Sequence, residues 1–221
     1  MLNLEKEKNN KKIFASYVLK QISANSNNKK TELFFKKNNP WQFLVAVILS
    51  AQTTDINVNK VTPKLFENFP NVYSFSNATA EEIIPYIKSL GLFRNKSKNL
   101  IKIAKIIVKK WNGFLPSQRV QLESLPGVGP KSAAVIITNI FNQQAIAVDT
   151  HVRRIVRRLG LTKQINPSKI ESELNKLFNH SLLSEAHNLL IWHGRKICNA
   201  RNPKCFKCPV ERRCPKLIDN F

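Results

Sequence analysis

A lysine behind a glycine–proline turn, a carboxylate eighteen residues later and four closely spaced cysteines are the groups in this chain that could do chemistry. Lys131 follows Leu125-Pro-Gly-Val-Gly-Pro130, and Asp149 follows the apolar Ile146-Ala-Val148. An amine attacks only when uncharged. In the first turn of a helix the positive dipole end disfavours a second positive charge, and desolvation in a cleft acts the same way. Lys131 is therefore a candidate for covalent catalysis, against the alternative of one more solvated charge. Asp149 precedes Thr150-His-Val-Arg-Arg154 and has the position of a helix cap. A carboxylate fixed there can also stabilise developing positive charge or assist proton transfer.

Cys198, Cys205, Cys208 and Cys214 all fall within the last 24 residues, spaced C-x6-C-x2-C-x5-C. In a reducing compartment such clustering reads as a metal site rather than as two disulfides. Structural zinc sites favour two close pairs of ligands, and here only one close pair exists. Four thiolates from one short segment suit a cubane iron–sulfur cluster, with zinc as the alternative. Arg201 and Lys204, between the first two cysteines, can present cations to phosphate.

Helices must position these groups. Ile13, Tyr17, Val18 and Ile22 recur at helical intervals, Trp41 to Ser50 is almost wholly apolar, and Leu100, Ile103, Ala104, Ile107 and Trp111 form a stripe ended by Asn112-Gly113. Thr79-Ala-Glu-Glu82 has capping-box spacing, and Gly91 can stop the helix that follows. Val135–Ile140, Val152–Leu159 and Ile170–Phe178 continue the pattern without a hairpin signal, so the fold class is all-α. Residues 23–30 and 141–147 are expected linkers. In the turn before Lys131, glycines permit positive φ and close backbone approach, and Pro130 suits a first helical position. A helix starting there points free N–H groups at whatever docks, as a phosphate requires. Apolar-Pro-Gly-apolar-Gly-x-Lys is the helix–hairpin–helix signature of sequence-independent DNA binding.

Composition agrees. Lys and Arg total 36 against 14 Asp and Glu, a net charge of +22, which attracts polyanions; codon bias toward lysine is the bland alternative. The apolar run FLVAVIL has seven residues, far short of the roughly 20 a membrane helix needs. The N-terminal MLNLEKEKNNKK lacks the apolar stretch of a secretory signal. The expectation is a cytoplasmic, nucleoid-associated monomer with no membrane partner. Arg153, Arg154, Arg157 and Arg158 form either a phosphate-facing stripe or a solvated helix face. His151 packs near Asp149 or touches substrate, His193 supports the cysteine lobe, Asp55 caps or braces the segment after Gln52, and Glu123 is exposed.

Together, LPGVGPKSA, AVDTHVRR, HGRKIC leading into the cysteines, ILSAQTTD (48–55) and SLGLFRNK (89–96) resemble the endonuclease III family over about residues 32–215. The resemblance implies two all-helical lobes with DNA in the cleft between them. One, residues 33–143, is a multi-helix bundle carrying the hairpin; the other joins residues 1–32 to 144–221 and carries a [4Fe–4S] cluster. It implies that Lys131 attacks the sugar's anomeric carbon, displaces a damaged base and allows β-elimination at the abasic site. Asp149 is the essential carboxylate, Gln52 and Leu92 fill the gap left by the flipped nucleotide, and Gly127 and Gly129 hold the hairpin against the DNA backbone. The substrate is double-stranded DNA bearing damaged bases, mainly oxidised pyrimidines, or abasic sites. Pro130 departs from the pattern, where relatives often carry a basic residue, and removes one charge and one N–H. Two competing functions are a monofunctional mismatch glycosylase of the same superfamily and a non-enzymatic DNA clamp. The first lacks the lysine present here, and the second leaves Lys131 and Asp149 without a purpose.

Overall fold

The structure, a computed structural model, describes residues 2–26 and 39–217, and among these every regular element is helical. Helix α1 (Leu2–Asn25) is followed by α2 (Pro40–Leu49), α3 (Asp55–Asn68), α4 (Val72–Asn77), α5 (Ala80–Ile87), α6 (Phe93–Trp111), α7 (Arg119–Glu123) and α8 (Pro130–Ile140). Then come α9 (Thr150–Arg158), α10 (Pro167–Leu177) and α11 (Leu183–Lys196), with short 3-10 turns at Cys205–Lys207 and Glu211–Arg213 in the cysteine segment. The chain forms two compact units, one of Glu32–Gln143 and one of Met1–Thr31 with Gln144–Phe221.

The core of the Glu32–Gln143 unit is built around α2. Its sequence PWQFLVAVIL buries every residue from Phe43 to Leu49, so it packs on all sides, against α3, α6 and α8. Burying each of the larger side chains here, Phe43, Leu44, Val45, Val47, Ile48 and Leu49, contributes about 1.5–3 kcal/mol. Asn39 caps the helix by accepting from the Gln42 N–H. Helix α6 buries Leu100, Ile103, Ala104 and Ile107, exposes five of its six lysines, and ends where Asn112 (φ 50°) and Gly113 (φ 84°) turn left-handed. Thr79 and Glu82 make the expected reciprocal cap of α5. That helix stops at Ile87, before Gly91, because the chain turns inward to bury Leu90.

In the other unit, Ala15, Val18, Leu19 and Ile22 of α1 join Val152, Ile155 and Val156 of α9 and Leu189 and Leu190 of α11 in one core. Of the expected linkers, residues 23–25 continue α1, while residues 27–30 and the expected boundary at 32–33 lie outside the described residues. The stretch 141–147 is no loose tether, since Ile146 and Ala147, with Val148 beyond them, are buried.

Candidate active site and cysteine-lined cavity

The turn between α7 and α8 is seated by two apolar pegs, Leu125 and Val128, which are 2% and 5% exposed. Gly127 has φ +82°, which favours glycine, and a β-carbon there would lie 2.9 Å from the Asn99 side-chain nitrogen, so that amide would have to move aside. Gly129 differs. Its backbone is extended, with φ −89° and ψ 177°, and a β-carbon would meet nothing within 4 Å. The chain itself does not demand glycine there, whereas a partner approaching the backbone would. Pro130 takes the first helical position as expected, and no side chain caps α8. Gly129, Pro130 and Lys131 are all exposed, so the desolvation expected for Lys131 is not supplied by its own chain.

Two further expected DNA contacts lie in the same unit. Gln52 (φ 56°) and Leu92 (φ 59°) are both left-handed and both exposed, Leu92 to 53%. A left-handed non-glycine residue costs about 1–2 kcal/mol, so both loops hold a strained backbone at an exposed surface. A β-carbon built on Gly91 would lie 3.8 Å from the Gln52 carbonyl oxygen, so the two loops run side by side. Asp55 is not the cap of the following helix; Thr54 is, and its hydroxyl accepts from the Asn57 N–H. Glu123 is half-buried and pairs with Arg119 at 2.6 Å.

In the other unit, Asp149 caps α9, one carboxylate oxygen accepting from the Val152 N–H at 2.8 Å. The arginines after it do not form a solvated or phosphate-facing stripe as a set. Arg154 donates to the carbonyls of Gly194 (2.9 Å) and Cys198 (3.0 Å) and approaches His151 Nδ1 at 3.2 Å. Arg158, only 3% exposed, donates to the carbonyls of Asn199 (2.7 Å) and Ala200 (3.0 Å) and to Cys198 Sγ (3.5 Å). One face of α9 thus grips the loop carrying the first cysteine, because that loop has unpaired carbonyls and the helix i,i+4 spacing aims two guanidiniums at them.

All four cysteines are free, half-buried and line a single cavity with Arg158 and His193. N–H groups point at two of the sulfurs, Arg158 toward Cys198 and the Lys216 backbone toward Cys214 (3.4 Å), and His193 Nε2 lies 3.7 Å from Cys208. His193 is 1% exposed, and burial pulls its pKa down to about 4, which leaves the ring neutral near pH 7. Burial pushes the Cys208 and Cys214 thiols up, and charge on the neighbouring cysteines adds to that push; a backbone N–H opposes it at each. Four thiolates here therefore demand a positive body at their centre. Among the described residues, however, no three of His, Cys, Asp or Glu are gathered tightly enough for a single ion. Arg201 and Lys204 are exposed on the same segment.

Comparison with known proteins places these features. A match to the HhH-GPD superfamily base excision DNA repair protein family spans residues 45–180. The endonuclease III of Rickettsia felis is 42% identical over 193 residues, covering 87% of this chain and 90% of that protein. The endonuclease III of Escherichia coli K12 is 38% identical over 197 residues, covering 89% and 92%. A solved structure of a trapped endonuclease III–DNA covalent intermediate with an estranged adenine superposes with a TM-score of 0.86 at 37% identity, over 93% of this chain and 96% of that one. The chain belongs to the HhH-GPD superfamily of base excision DNA repair proteins and, within it, to the endonuclease III family.

Proposed function

We propose that this protein is a bifunctional DNA glycosylase and abasic-site lyase for oxidised pyrimidines in which Lys131 is the nucleophile. The observation that carries this reading is the exposed Lys131 amine in the first turn of α8, a helix no side chain caps, directly behind the hairpin turn. The uncharged amine attacks C1′ of the damaged nucleotide, the bond from C1′ to the base breaks, and the base leaves with its electron pair and gains a proton. Ring opening gives a Schiff base between Nζ and C1′. Loss of a proton from C2′ then expels the 3′ phosphate by β-elimination, which cuts the strand.

Each remaining site residue has a defined task. The Asp149 carboxylate, held by the Val152 N–H, stabilises positive charge on the sugar as the base departs. Gly129 and the first turn of α8 receive a backbone phosphate, and Gly127 shapes the turn that presents them. Gln52 and Leu92 fill the space vacated by the flipped nucleotide, offsetting part of an unstacking cost of about a few kcal/mol. Cys198, Cys205, Cys208 and Cys214 hold a [4Fe–4S] cluster, a reading supported by the four thiols that line one cavity. When bound, that group supplies iron–thiolate cross-links that fix the loop presenting Arg201 and Lys204 to phosphate. The monofunctional alternative gains nothing, since Lys131 occupies the nucleophile position.

Borohydride added to enzyme and a thymine-glycol duplex tests the proposal. A covalent adduct is expected from the native protein and none from Lys131→Ala; an adduct that survives Lys131→Ala refutes the assignment. Asp149→Asn, which retains the cap, is expected to lower turnover at least tenfold without a change in thermal midpoint.

A further inference from the structure

Helix α2 ends at Leu49, and each of its last four carbonyls finds a donor. Ala46 receives the Ser50 N–H (2.9 Å), Val47 the Ser50 hydroxyl (2.9 Å) and Ile48 the Ala51 N–H (3.4 Å). These three donors come from the chain as it continues. The fourth does not: Leu49 accepts from Lys96 Nζ at 2.9 Å, from 47 residues away. Three residues past Leu49 stands left-handed Gln52.

Lys96 reaches the second loop as well. Its backbone N–H donates to the Leu92 carbonyl at 3.0 Å, closing the first turn of α6 on the other left-handed residue. One residue is thus bonded through its side chain to the end of α2 and through its backbone to Leu92. Lys96 is 5% exposed, whereas Lys98, Lys102, Lys105, Lys109 and Lys110 of the same helix lie in solvent. Packing alone would be served better by methionine or leucine, because a buried ammonium loses its hydration. Burial pushes the Lys96 pKa down, and the negative end of the α2 dipole is the partner that compensates. A buried lysine bonded to the last carbonyl of another helix is a brace.

We infer that Lys96 is a positioning residue that holds the Gln52 and Leu92 loops together in the arrangement needed to fill the gap in the duplex; the inference rests on the gap-filling role assigned to those two residues. Without the ammonium, the last carbonyl of α2 loses its donor, and the left-handed conformation at Gln52 relaxes away from Leu92.

The test uses a duplex with 2-aminopurine opposite a tetrahydrofuran abasic analogue, whose fluorescence rises when the probe is unstacked, together with steady-state kinetics on a dihydrouracil duplex. Gln52→Ala and Leu92→Ala are expected to reduce the fluorescence rise; if neither does, the gap-filling reading itself fails. Given that reduction, Lys96→Met is expected to abolish the rise and to lower kcat about 10- to 100-fold with KM within about threefold. Lys96→Arg, which keeps a buried cationic donor, is expected to recover most of both signals. A Lys96→Met protein with native fluorescence and kcat overturns the inference, as does Lys96→Arg behaving like Lys96→Met. If Lys96→Met does not accumulate folded, Lys96→Gln, with a donor on a shorter arm, is read in its place by the same criteria.

Discussion

Gly127 and Gly129 stand two residues apart in one turn, yet they are glycines for opposite reasons. At Gly127 the chain needs positive φ. Gly127→Ala is therefore expected to lower stability by about 1–2 kcal/mol, the cost of a left-handed alanine, measured by urea unfolding. At Gly129 that constraint does not operate. Gly129→Ala is expected to leave stability unchanged or raise it by about 0.4–1 kcal/mol through the unfolded chain, while weakening binding to an abasic-site duplex several-fold. If both variants lose stability equally, the separation of fold from DNA contact within this turn is wrong.

Helix α9 shows how a surface-looking pattern becomes structural. Arg158→Met would leave the Asn199 and Ala200 carbonyls and the Cys198 sulfur without their donor. The expected result is destabilisation of roughly 1–3 kcal/mol and, on the proposed [4Fe–4S] assignment, a lower iron content per chain, read by metal analysis and by visible absorbance. Far-UV circular dichroism should change little. This grip was not legible in the sequence, because i,i+4 arginines report that they share a face but not which face is covered. Lys96 was hidden for the same reason, as one lysine in a lysine-rich helix whose burial depends on where α2 ends. Gln52 and Leu92 carry no local signal of left-handed backbone at all; only the family resemblance singled them out. What could be read directly was whatever a local rule dictates: the all-helical class from periodicity, the α5 capping box, the Asp149 cap, and the Pro-Gly turn before Lys131. Helix ends set by burial, such as that of α5 ahead of Gly91, escaped those rules.

The excess of 22 positive charges governs how the molecule meets DNA before any lesion is recognised. Affinity for undamaged duplex should fall log-linearly with salt, by about 0.9 in slope per phosphate neutralised. Replacing both Arg201 and Lys204 with alanine is expected to reduce that slope by about 1.8 if each meets one phosphate; an unchanged slope would remove the cysteine loop from the DNA-contacting surface. Among the described residues no helix is long and apolar enough to cross a membrane. The order in which the two units occur along the chain has its own outcome during synthesis. Helix α1 packs against α10 and α11 and shares a core with α9, so it finds its neighbours only after the whole Glu32–Gln143 unit has been made. The Glu32–Gln143 unit is contiguous and can fold as it leaves the exit tunnel. A ribosome stalled just after the Glu32–Gln143 unit has cleared the exit tunnel would therefore carry a finished hairpin while α1 still waits for its core, a window in which a chaperone or protease would find α1 accessible.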